Sequence, residues 1–160
     1  MKRIFFLFSV LAFVVISACN NSNNKSSDIT GNETITSESR EDSLMKDVMT
    51  GHDVGMAKMG RLRAMQNQVQ HIIDSIAKLP AKAKKALEPH NADMKKVLED
   101  LKSAKAGMEK WMDEFNMDSA INNMEQRIEY LSEERLKVAA VKENILSSLQ
   151  KADSLIKEKF

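Results

Sequence analysis

From Ser43 onward, apolar residues return at steps of three and four, the period that gathers them on one face of an α-helix. The first run is Met45, Met49, Met56, Met59, Leu62, Met65, Val69, Ile72, Ile76 and Leu79, with His52 at the position between Met49 and Met56. Its steps from Met56 to Met59 to Leu62 are three plus three, a stammer that overwinds a coiled coil locally. A second run is Met94, Val97/Leu98, Leu101, Ala104, Met108, Trp111/Met112 and Phe115. A third is Ile121, Met124, Ile128, Leu131, Arg135/Leu136, Val138, Val141, Ile145, Leu149, Ala152 and Leu155/Ile156. No alternating run of β-branched residues competes with these outside the first nineteen positions.

The breaks between runs are equally legible. Pro80 and Pro89 are the two prolines of the chain, and they bracket a turn with room for one short helical stretch. In Phe115-Asn116-Met117-Asp118-Ser119, Asn116 reads as a stop and Asp118 as the N-cap of the next helix. Short connections between long helices imply antiparallel neighbours. The expected fold is therefore all-α: an antiparallel three-helix hairpin bundle with coiled-coil-like seams over 43–160, its helices at about 43–79, 90–115 and 118–158. The first would be roughly 54 Å long. A reversal near residue 85 brings Met112 and Phe115 back beside 55–58. A second near 117 sets Met124 beside Met108 and Lys110. The start of the first helix thus shares one end with Met108, Trp111, Met112, Phe115, Met117 and Met124, a methionine-rich pole.

The N-terminus has a different character. Lys2 and Arg3 precede Ile4 to Ile16, thirteen residues that are apolar apart from Ser9. That length suits a signal-peptide core and falls short of the roughly 20 residues that span a bilayer. Ile16-Ser17-Ala18-Cys19 contains the one cysteine of the chain and resembles a bacterial lipobox. The resemblance implies a lipoprotein signal peptide at 1–18, cleavage after Ala18 and lipidation of Cys19. Several acyl chains on one residue make a stable membrane anchor, whereas one chain binds only marginally. Asn20 after the cysteine, in place of aspartate, resembles the signal for the outer membrane over the inner. Asn20 to Asp42 holds two apolar residues, Ile29 and Ile35, too few to offset the entropy of ordering. Residues 19–42 therefore read as the lipidated cysteine and a disordered, flexible tether reaching roughly 25–30 Å.

Candidate chemistry concentrates in Met49 to Gly60. Met49, His52, Met56 and Met59 fall at helical spacing, and Met112 folds back towards them. Thioethers and imidazole are ligands suited to Cu(I), so these five residues form a candidate copper site. Against that, methionine is a flexible filler of irregular apolar surfaces, and a stripe at heptad spacing is ordinarily core. Gly51, Gly55 and Gly60 suggest a weakened helix with close packing or local mobility. Continuity with the Leu/Ile/Val stripe favours packing, with Trp111, Phe115, Met108 and Met124 as an interaction pole. His71/Asp74 and His90/Asp93 supply too few ligands for zinc; His90 reads as a turn residue. Lys82, Lys84 and Lys85 make the distal turn basic and read as a solvated face. No Ser–His–Asp set, phosphate-binding glycine loop or metalloprotease motif occurs, and Glu125, Glu129 and Glu133 read as a solvated face. An enzyme is not expected, and no resident cofactor beyond the copper alternative. A net charge of +1 and 5% aromatic residues argue against a nucleic-acid partner.

His52-Asp53-Val54-Gly55-Met56-Ala57-Lys58-Met59-Gly60, together with the lipobox, the polar tether, Trp111-Met112 and Phe115, resembles a group of short uncharacterised lipoproteins from Bacteroidota. Members often carry a label borrowed from viral A-type inclusion proteins, which implies coiled-coil-like helices and no particular activity. In that group an acidic run after the cysteine marks surface export. Asn20 to Ser27 contains no acid, so the resemblance implies the periplasmic face of the outer membrane. The leading expectation is a lipid-anchored, non-enzymatic helical module of the envelope that is structural or binds other envelope proteins. The alternatives are a periplasmic Cu(I)-binding protein and a chaperone-like helical clamp. Seams interrupted by Arg63, Lys105 and Arg135 leave self-association open.

Overall fold

Thr36 begins the first helix. Its Oγ1 accepts a hydrogen bond from the Ser39 amide at 3.2 Å, satisfying one of the amides that a helix start leaves unpaired. In the computed structural model, which describes residues 36–157, helix α1 then runs Ser37–Ala77, 41 residues and about 60 Å. The expected signal peptide at 1–18, Cys19 and the expected tether up to Ile35 lie outside the described residues. The helix starts six residues before the expected 43, because the polar segment finds a cap in Thr36, a first-turn acid in Glu38 and a buried partner for Glu41.

Helix α1 stops just before Pro80, and a short helix α2 (Ala81–Ala86) leads into α3 (Glu88–Glu114). Pro89 falls in the first turn of α3, where a missing N–H costs no hydrogen bond. Residues 115–123 form the next connection. There the Asp118 amide donates to Asn116 Oδ1 at 3.0 Å, and Ala120 takes a left-handed φ of 56°. Helix α4 begins at Met124, not 118, and runs to Lys157. Its cap is Asn123, whose Oδ1 accepts from the Gln126 amide at 3.1 Å, while Asp118 is held in the turn. The described residues are all-α, contain no strand, and include no helix long and apolar enough to cross a membrane.

The three long helices pack against one another pairwise. Leu62, Val69, Met94, Leu101, Met108, Leu131, Val138 and Ile145 are fully buried between them. Burying one large aliphatic side chain is worth about 1.5–3 kcal/mol, so this line of residues carries the fold.

The core face of α1 departs from the expected seam in its first half. Leu44, Val48, Gly55 and Met59 are buried there, Met45, Met49 and His52 only flank the core, and Met56 is exposed. Glycine is the cause. A Cβ on Gly51 would lie 2.9 Å from Val138 Cγ1, and one on Gly55 would overlap Met108 Cε. The missing side chains are sockets for residues of α4 and α3, which rotates the helix away from its own methionines. On α4 the expected Arg135/Leu136 position gives way to Glu134, which is buried while Leu136 is exposed.

The glycines should therefore differ when changed to alanine. Nothing lies within 4 Å of a Cβ on Gly60, so Gly60→Ala gains helix propensity and should stabilise by about 0.5–1 kcal/mol. In Gly51→Ala that gain is offset by crowding against the stiff Val138, at about 1–3 kcal/mol. Thermal unfolding should rank Gly60→Ala above the parent and Gly51→Ala below it. Equal gains in both would mean the socket is not tight.

Candidate functional site

Positions 111 and 115 are one helical turn apart, so Trp111 and Phe115 share a face of α3. Their rings stack at 4.9 Å between centroids and 19° between planes. His52 of α1 also approaches Trp111, at 5.8 Å between centroids and tilted by 39°. Tyr130 of α4 continues the series beyond Phe115, at 6.1 Å and 13°. The result is a four-ring ladder across all three long helices. Its last member closes the end of α3, since the Tyr130 hydroxyl accepts from the Asn116 amide at 2.7 Å.

Polar bonds hold the ladder in place. Trp111 is 5% exposed, and its Nε1–H donates to Glu134 Oε2 at 2.9 Å. The other carboxylate oxygen accepts from Lys137 Nζ at 2.8 Å. The hydrogen bond to Glu134, followed by that residue's charge, raises the Lys137 ammonium above its ordinary 10.5. Nearby Arg127, with 7% of its side chain exposed, donates through Nε to Glu41 Oε1 and through Nη1 to the Ser119 carbonyl, both at 2.9 Å. This buried charge is paired as it must be, and it ties the start of α1 to the turn before α4. His52 Nδ1 lies 2.9 Å from Asp53 Oδ1.

The candidate residues separate on this frame. Met108, Trp111, Phe115 and His52 come together, with Met108 seated over Gly55. The register of α3 on α1 differs from expectation: Met108, not Met112 and Phe115, lies beside residue 55, because the chain reverses about three residues earlier than the expected 85. Met124 opens α4 and is not beside Met108, whose neighbourhood on α4 is near Ile145. The late start of α4 accounts for that shift. Among the proposed sulfur ligands, Met59 is buried in the core, Met49 is half-buried, and Met56 and Met112 are exposed. No group of three His, Cys, Asp or Glu residues suited to a metal occurs among the described residues. Cys19 lies outside them.

Glu134, Arg127, Tyr130 and Glu41 were not anticipated. A strict four–three–four spacing through Leu131 and Val138 would have picked out Arg127 and Glu134. Their charge hides that pattern, since a charged side chain ordinarily marks a solvated face. Beside the ladder, Met112, Met117, Ile121 and Met124 are exposed on the end of α3, the following turn and the first residue of α4.

Removing the Glu134 carboxylate would leave the Trp111 N–H buried without an acceptor, a loss of about 1–3 kcal/mol. Glu134→Ala should show that loss in denaturant unfolding, and Glu134→Gln a smaller one. A raised folded-state pKa means that the Lys137 contact contributes fully below 10.5 and is lost as pH rises through the higher folded value. Nitrogen NMR of the Lys137 ammonium should titrate above 10.5 in the parent and move back in Glu134→Gln. Identical midpoints would contradict the bond. The chain matches no protein-family model, no curated protein and no solved structure.

Proposed function

We propose that this chain is a lipid-anchored, non-enzymatic helical module of the cell envelope, which binds another envelope protein through the pole around Trp111. The observation that carries this reading is the juxtaposition of a rigid aromatic ladder with exposed Met112, Met117, Ile121 and Met124. Flexible thioethers beside a fixed frame suit an adaptable protein-binding surface. The lipobox at Ile16-Ser17-Ala18-Cys19 supports anchoring through Cys19, and Asn20 supports the periplasmic face of the outer membrane.

In the same reading the helical part is an antiparallel three-helix hairpin bundle with coiled-coil-like seams. Arg127–Glu41, Arg135–Asp47 and Arg61–Asp153 pair α1 with α4 in the same direction. Gln66–Leu101, Trp111–Glu134 and Lys151–Asp100 pair α3 with its neighbours in the opposite direction. Both sets support an up–down–up arrangement with α2 in the first turn.

Two measurements on the full chain in cells test the reading. Metabolic labelling with an alkyne fatty acid should mark the parent and not Cys19→Ser; labelling of both would remove the anchor. A photoreactive residue in place of Met112 or Met124 should give a discrete crosslinked adduct, and one in place of Lys102 on the open side of α3 should not. Equal adducts at all three positions would remove the pole.

The copper reading draws support from the approach of His52 to Trp111, but buried Met59 and exposed Met56 present sulfur in different environments. In Cu(I) competition titrations, the full chain and its Met56→Leu/Met59→Leu variant should bind equally or not at all. Tighter binding by the parent, by tenfold or more, would restore copper as the function.

A further inference from the structure

Three of the four exposed apolar residues at the pole are followed in the chain by an exposed acid: Met112 by Asp113, Met117 by Asp118 and Met124 by Glu125. Residues 112–133 hold six acids, and their one base, Arg127, is buried against Glu41. Glu114 pairs with Lys110, while Asp113, Asp118, Glu125, Glu129 and Glu133 form no ion pair among the described residues. The start of α1 adds to this charge, since residues 36–53 hold five acids against two bases. A chain of formal charge +1 thus gathers negative charge at the end where it also exposes apolar side chains.

The surface is also indented there. Ala120, next to Ile121 in the chain, lines a hollow of about 240 Å³ together with Glu129, Tyr130 and Glu133 of α4. Glu129 and Glu133 are one helical turn apart and share a face. The Tyr130 hydroxyl is already occupied by the Asn116 amide, which leaves the ring as an aromatic wall. An aromatic wall with two carboxylates suits the head of a lysine or arginine. A second copy docked pole to pole would bring these acids against themselves, and an anionic lipid surface would meet the same repulsion. A partner that sets cationic side chains beside apolar ones satisfies both the methionines and the acids, as an amphipathic helix with a basic face does.

We propose that the pole binds a cationic amphipathic helix of its partner, whose apolar face lies on Met112, Met117 and Ile121 and whose basic side chain enters the hollow beside Tyr130. This rests on the reading of the pole as a protein-binding surface and names the chemistry of what binds there. The test uses the full chain in phosphatidylcholine nanodiscs, with a photoreactive residue in place of exposed Asn122. The probes are three labelled helical peptides, one of leucine and lysine, one of leucine and glutamate, and one of serine and lysine. The leucine–lysine peptide should give a saturable adduct that weakens as salt is raised, and the other two should give little. Four exposed charge pairs of ordinary strength predict about a tenfold rise in its half-saturating concentration in Asp118→Asn/Glu125→Gln/Glu129→Gln/Glu133→Gln. The same number should not move in Glu88→Gln/Asp93→Asn/Glu143→Gln, which neutralises acids away from the pole. The comparison between peptides needs no variant of these acids to fold. Equal adducts with the lysine and glutamate peptides, an equal loss in both acid variants, or no adduct with any peptide would overturn the proposal. Discrete adducts from Met112 and Met124 in cells alongside any of those results would leave the protein-binding pole standing and remove only the cationic partner.

Discussion

The indole of Trp111 is where the three long helices meet, and its hydrogen bond to Glu134 decides how they meet. A tryptophan this buried needs an acceptor for its N–H, and a buried carboxylate needs donors for its charge. Each residue supplies what the other lacks, with Lys137 completing the carboxylate. Sliding α3 along α4 by one turn would strand the indole N–H and leave Glu134 with Lys137 alone. The position of α1 follows from shape: Gly51 receives Val138 and Gly55 receives Met108, so α1 settles at the height where its glycines face those side chains. The Trp111–Glu134 bond, the buried Arg127–Glu41 pair and the two sockets thus set the register of three helices whose remaining core contacts are largely hydrocarbon.

That division also explains what could be read from the residues. The run of α3 from Met94 to Trp111 was legible throughout, because its core positions are large and apolar and keep the helical period. The first half of α1 was not. Its core line passes through Gly51 and Gly55, which carry no hydrophobic signal, so the neighbouring methionines took their place in the pattern. On α4 the line passes through Arg127 and Glu134, whose burial depends on partners distant in sequence, Glu41 and Trp111. Helix boundaries moved for local reasons: Thr36 caps α1 ahead of the expected start at 43, and Asn123 caps α4 in place of Asp118. His90 reads as a turn residue in the sequence, yet proline in a first turn starts a helix as readily as it breaks one. At the pole the aromatic members Trp111 and Phe115 were legible as apolar positions, whereas Glu134 and Arg127, being charged, carried no such signal.

The two ends of α1 differ in kind. Its N-terminal end carries the ladder, the Arg127–Glu41 pair and the exposed methionines, a fixed frame beside a soft surface. Its C-terminal end carries an open groove with an unpaired buried imidazole and a basic flank. Under the proposed reading the first end recognises a protein. About 30–40 Å of helix separates His52 from the groove, and the continuous core between them offers a rigid connection.

Everything at the pole depends on Trp111 and Glu134 being locked together in solution. Hydrogen exchange at the Trp111 indole N–H in the full chain measures this directly. The account predicts exchange as slow as that of the best-protected backbone amides of α3, accelerating in Glu134→Ala. An indole proton that exchanges orders of magnitude faster than those amides, or at a rate unaffected by Glu134→Ala, would contradict it.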